Sequence, residues 1–214
     1  MKQLPDFTVL KGFIVFEGLD GAGTTTQSRL LCENFRKTAT PCFLTCEPTE
    51  SFIGRTVRSV LQKRETVGPG TLARLFSADR NDHLYHPENG ILEQLKKGLI
   101  VVCDRYLFSS LAYQSIDWDF DDVWELNCSF PLPEHLLFLD VNPEESQRRI
   151  LERDAPQEIY EKKDLQDKIR SNYFDAFQHF EGTRMDLHVF DGTLPVQELQ
   201  NMIWKQLKPS DTRV

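Results

Sequence analysis

FIVFEGLDGAGTTTQ, residues 13–27, decides how the rest of the chain is read. Phe13 to Phe16 form an apolar run of buried-strand length. Gly18, Gly21 and Gly23 follow within six residues. Thr24, Thr25 and Thr26 then open QSRLLCENFRK, which has helical spacing. Strand, glycine loop and helix form the context in which backbone N–H groups converge on an anion at a helix N-terminus. The common phosphate-loop pattern is G-x-x-x-x-G-K-[ST]. Here Thr24 stands where that pattern has lysine, so one cation of the usual cradle is missing.

Composition narrows the setting. At 214 residues the chain is expected to be a single α/β domain, 1–214, with enough apolar residues (40%) for a sizeable core. A net charge of −8 argues against a nucleic-acid partner, which needs basic surface, but leaves room for a nucleotide in a pocket. The five cysteines contain no CxxC pair and sit in apolar runs, so they are expected as small core residues in a reducing compartment. His83 and His86 lack further ligands nearby and are expected at a surface or helix end rather than on a metal. No stretch approaches 18 apolar residues, so no membrane role and a cytoplasmic location are expected.

Working outward, strands are predicted at about 12–17, 42–46, 99–103, 135–141 and 187–190. Helices are predicted between them. One is capped by Thr71 after Gly68-Pro69-Gly70, another begins at Pro87, and a third at Pro143. Strands separated by helices predict a five-stranded parallel sheet flanked by helices on both faces. Two strands run straight into polar residues: Glu47-Pro48-Thr49 and Asp104-Arg105-Tyr106. Carboxyl ends of parallel strands are where such sheets bind ligands. Phe76 and Arg80, four apart on one helix face, could stack on a base and donate to its carbonyl. The charged stretch 152–164 reads as a lid, and the acidic segment 117–127 as a peripheral loop and short helix.

Taken together, FEGLDGAGTTTQ, the EPT loop, LFSADR, VVCDRYLFSSLAYQ, LFLDV, IYEKKDLQDKI and FDGT resemble the thymidylate kinase family of P-loop nucleoside monophosphate kinases, in order and over nearly the full length. The resemblance implies transfer of the γ-phosphoryl group of ATP, with Mg2+, to dTMP, and a homodimer. It implies a donor cradle of Gly18, Gly21, Ala22, Gly23, Thr24, Thr25 and Thr26, with the Thr25 hydroxyl on Mg2+. Asp104 would hold either Arg105 or the magnesium shell. Asp20 would meet the acceptor's 3′-hydroxyl, and Arg105 its phosphate. Glu47 and Pro48 would form the acceptor loop, with Ser110, Gln114 and Tyr160 nearby and Tyr113 either core or pocket. Asp191 and Gly192 would lie by the adenine. Two family arginines are missing, since Cys46 and Glu50 stand at their positions, and Gly21 excludes a third. Arg153 is the best lid candidate, with Arg148 and Arg149 as alternates. Two readings stay open at Thr24: arginines such as Arg105 and Arg153 supply the missing charge, or the chain binds nucleotide without turning it over. A deoxynucleoside kinase is disfavoured by Asp104-Arg105-Tyr106, and a GTPase switch by the lack of an NKxD motif.

Overall fold

The computed structural model describes residues 7–152 and 158–207. Its elements, in order, are β1 (Val9–Gly18), α1 (Thr24–Lys37), β2 (Cys42–Cys46), α2 (Phe52–Leu61), α3 (Pro69–Tyr85), α4 (Ile91–Lys96), β3 (Ile100–Asp104), α5 (Leu107–Tyr113), α6 (Phe120–Asn127), β4 (Leu132–Asp140), α7 (Pro143–Leu151), α8 (Lys163–Gln178), β5 (Asp186–Asp191) and α9 (Val196–Leu207). The five strands form one sheet in the order β2-β3-β1-β4-β5. Every pairing is parallel.

The apolar run that opens the chain explains why β1 is central. Phe13 and Val15 enter one core with α3, α5 and α8, while Ile14 and Phe16 enter a second with α1 and α9. A strand covered on both faces is apolar without alternation. On the first face Phe138 of β4 packs against Tyr173 and Phe177 of α8, with ring centroids 5.0 and 5.2 Å apart. On the second, Phe35 of α1 meets Trp204 of α9 at 5.2 Å. Both layers direct the strand ends that carry polar residues toward one rim of the sheet. Among the described residues no helix is long and apolar enough to cross a membrane.

Several sequence expectations need correction. The long helix starts at Pro69 with Gly68 as its N-cap, so Thr71 lies inside it. Proline's fixed φ and missing N–H suit the first helical position, which outweighs the cap preference of threonine. Pro87 does not begin a helix; α4 starts at Ile91. β4 begins at Leu132, and Pro133 falls beside a register shift between Leu10 and Ile14, where a missing N–H is tolerated. Cys32 and Cys42 are not separate core thiols. They form a disulfide joining α1 to β2, with Cα atoms 5.6 Å apart. Cys103 remains a buried free thiol as expected.

Candidate active site

One cavity of about 1000 Å³ runs along the rim, from the glycine loop at one end to Phe76 and Arg80 at the other. At the loop end, Gly21 and Gly23 adopt φ of 84° and 93°, a left-handed conformation that favours glycine. Gly18 is required by space: an added Cβ would lie 2.8 Å from the Leu139 carbonyl oxygen. No side chain caps α1, and its first turn holds no acidic residue. Its leading N–H groups and its partial positive charge therefore serve the cavity, which Thr24, Thr25 and Thr26 line. The Thr24 side chain is buried beneath the loop.

The Thr25 hydroxyl donates to Asp104 Oδ2 at 2.5 Å. The other oxygen, Oδ1, is buried without a hydrogen-bond partner. A hydroxyl in the first turn of α1 and a half-satisfied carboxylate at the end of β3 form a hard-oxygen donor set that suits Mg2+. Of the two sequence alternatives for Asp104, its hydrogen bond is to Thr25 rather than to Arg105.

Arg105 stands at the middle of the cavity in a left-handed backbone conformation, φ 72°, rare for a residue with a side chain. Its guanidinium pairs with Asp20 Oδ1 at 2.7 Å. It also donates to the Gly18 carbonyl, the Ser109 hydroxyl and the hydroxyls of Tyr113 and Tyr173. This places Asp20 against Arg105 and makes Tyr113 both buried and part of the cavity wall.

Beneath Arg105 lies Glu17, fully buried. It accepts from the Tyr106 and Ser109 amides (2.8 and 3.1 Å), the Ser109 hydroxyl (2.6 Å) and the Tyr173 hydroxyl (2.8 Å). Burial pushes its carboxyl up to about 7, against the opposing pull of Arg105 and these hydrogen bonds. One side chain of β1 thereby fixes the turn after β3 and the face of α8.

The far end is built from side chains. Arg80, 1% exposed, pairs with Glu47 Oε2 at 2.8 Å, donates to Ser110 Oγ at 3.1 Å and bonds Asn127 Oδ1. His83 Nδ1 lies 3.0 Å from Glu47 Oε1, and its Nε2 lies 2.6 Å from the Thr45 hydroxyl. Of the surface or helix-end role expected for His83, the helix end holds, since it lies in the last turn of α3, but the surface does not: it is buried inside this network through Glu47 and Thr45. Asp79 accepts from the Thr49 amide and hydroxyl and from the Ser51 hydroxyl, at 2.7, 2.6 and 3.0 Å, and so fixes the loop after Pro48. Glu47, Pro48, Phe76, Gln114 and Tyr160 line the cavity. Ser110 does not; it is buried and meets the cavity only through Arg80. The Gln114 side-chain oxygen is buried without a partner. Tyr160 packs edge-on against Tyr113, centroids 5.6 Å apart, and burial raises its hydroxyl to about 12.

Two arginines complete the lining. Arg58 of α2 reaches the loop after β2, bonding the Pro48 carbonyl and pairing with Glu50 at 3.1 Å. It comes from a helix rather than from position 46 or 50, where sequence reading sought one. Arg149 of α7 donates to the carbonyls of Gly21 (3.2 Å) and Gly192 (3.0 Å), bridging the glycine loop to the turn after β5. Arg148 points away into an exposed cluster with Glu145 and Glu152. Arg153 lies outside the described residues. Gly192 lines the cavity, and an added Cβ there would sit 2.5 Å from Val141. The Asp191 carboxylate instead closes its own turn, accepting from Thr193.

Glu17, Asp79, His83, Arg58 and Asn127 were not singled out from sequence as site residues. Glu17 alone carried a readable signal, a charge between apolar β1 and the loop, where burial demands partners.

The model of the family described as thymidylate kinase matches residues 16–203. A putative thymidylate kinase of Treponema pallidum is 43% identical, covering 79% of this chain and 81% of that protein. A probable thymidylate kinase of Methanococcus aeolicus is 36% identical over 91% of this chain and 95% of that one. A probable thymidylate kinase of Pyrococcus abyssi is 37% identical over 81% and 86% respectively.

Proposed function

The chain belongs to the thymidylate kinase family, and from that premise we propose that it transfers the γ-phosphoryl group of ATP to dTMP, giving dTDP for dTTP synthesis. The observation that carries this reading is one continuous cavity with the glycine loop and the start of α1 at one end, Phe76 and Arg80 at the other, and Arg105 between them. Two nucleotides entering from opposite ends would meet at Arg105.

Phosphoryl transfer needs mainly positioning and charge stabilisation. The amides of the glycine loop and α1 take the donor phosphates. Thr25 and Asp104 would hold Mg2+, which would supply positive charge to the phosphate oxygens. Arg105, held by its neighbours, meets the acceptor phosphate and the transferring group, while Asp20 orients it and faces the acceptor sugar. Phe76 stacks on the thymine and Arg80 donates to a base carbonyl. Glu47 neutralises Arg80, which fits an uncharged base better than a bare cation would. Arg58 adds charge at the acceptor loop, and Asp191-Gly192 border the adenine. The proposal carries the lid at about 152–164, with Arg153 in it, a single domain, a homodimer and a cytoplasmic location.

Thr24 favours a second reading, nucleotide binding without turnover. Losing one positioned transition-state donor costs roughly 10²–10³ in rate. Arginine can return as much or more, about 10³–10⁵ where it acts as a finger. A coupled assay with ATP, Mg2+ and dTMP separates the readings when repeated on Thr24→Lys. Turnover in the native chain, changed less than about tenfold by lysine, is expected. A silent native chain rescued by lysine would establish the second reading.

A further inference from the structure

His135 of β4 and Asp186 of β5 are register partners at the amino ends of the strands, on the rim opposite the cavity. His188 lies two residues beyond Asp186, so strand pleating returns it to the same face. His135 Nδ1 is 3.3 Å from His188 Nε2 and 3.6 Å from Asp186 Oδ2. The three candidate ligand atoms all lie within 4.8 Å of one another. A tetrahedral zinc ion, with bonds of about 2.0–2.2 Å, separates its ligands by roughly 3.3–3.5 Å. The 3.3 Å spacing falls in that span and the 3.6 Å spacing lies about 0.1 Å beyond it. Both imidazoles are half-buried and Asp186 is exposed, which leaves one side of the cluster to solvent. The proposed kinase reaction uses none of these residues.

We propose that His135, Asp186 and His188 bind one transition-metal ion of the Zn2+ class, with water in the fourth position. Two imidazole nitrogens select such an ion over Mg2+, which takes oxygen ligands. The ion would cross-link β5, an edge strand held in the sheet only through β4, to the core of the sheet. His188 is three residues from Asp191, so the cross-link would also steady the strand that carries the turn at Gly192.

The test is titration of the chelator-stripped full chain with ZnCl2 in excess MgCl2, which saturates the oxygen site at Thr25 and Asp104. One equivalent is expected to bind, Tm is expected to rise with Zn2+, and Co2+ in its place should give the intense visible bands of a four-coordinate ion. His135→Gln, His188→Gln and Asp186→Asn should each weaken binding roughly tenfold or more. Asp186→Asn is isosteric and exposed, so it keeps the test valid if a histidine variant fails to fold. Cys46→Ser and Cys128→Ser, which remove competing thiols, should leave binding unchanged. Absence of saturable binding, binding indifferent to all three ligand variants, or binding lost with the cysteines would overturn the site and leave a plain hydrogen-bonded histidine pair.

Discussion

The two ends of the cavity are made of different material. At the Phe76 end, Arg80, Glu47, His83, Asn127 and Ser110 form a buried network in which each charge already has a protein partner. At the glycine-loop end the lining is mainly backbone, shaped by Gly21 and Gly23 and by the close approach at Gly18. A cradle of amides loses only one contributor when a side chain such as the lysine is replaced by Thr24. A network of buried charges has no such tolerance, because removing one partner strands another. The contrast teaches why the chain departs from the common pattern at one end and is densely tied at the other.

The contrast breaks most visibly at Arg80. Arg80→Met leaves the buried Glu47 with His83 as its remaining side-chain partner and no arginine, and the expected loss is about 3–5 kcal/mol in urea unfolding. ATP affinity of the folded fraction should be unchanged; an equal fall in ATP affinity would show that the two ends are one unit. Arg105 sits between them. Arg105→Met is expected to lower kcat by roughly 10²–10³ while the dissociation constant for ATP moves far less, as measured by single-turnover kinetics beside equilibrium binding.

Glu17 sharpens the comparison from below. Its carboxyl holds its proton more tightly in the folded protein, at about 7 against an ordinary 4.5. The native state therefore binds more protons across that window. Its contribution is fully present below pH 4.5, declines as pH rises toward 7, and is level above. Glu17→Gln should remove that slope, at most about 1.4 kcal/mol per pH unit, in denaturant titrations run at a series of pH values. Phe76→Ala should act on one end alone. Loss of a stacking face costs about 1–3 kcal/mol, so KM for dTMP should rise at least several-fold with KM for ATP unchanged.

What was legible in the sequence follows the same division. The glycine loop is contiguous, so Gly18 to Thr26 could be read directly, and the five strands announced themselves as apolar runs. Asp104 and Arg105 were legible because they end such a run. At the other end Phe76 and Arg80 were legible from their helical spacing and Glu47 from its place after a strand, while Ser110 was named only through the family resemblance. His83 and Asn127 come from different elements, and nothing in their own neighbourhoods reveals the register that joins them to Glu47 and Arg80. Arg58 escaped, and Arg149 could be named only as an alternate to Arg153, for a related reason. Each is an ordinary helix arginine until the packing of its helix shows which loop it reaches. The pairing of Cys32 with Cys42 likewise depends on α1 lying against β2.

The strand order has a consequence for how the molecule breathes. β1 and β3 hold Arg105 from inside the sheet, while the edges belong to β2, which leads to the Glu47-Pro48 loop, and β5, which leads to the turn at Gly192. Edge strands open at lower free energy than central ones. Amide hydrogens of β2 and β5 should exchange with solvent deuterium sooner than those of β1. Each nucleotide should then slow exchange at its own edge, dTMP at β2 and ATP at β5. The centre would stay shut while substrates come and go at the margins.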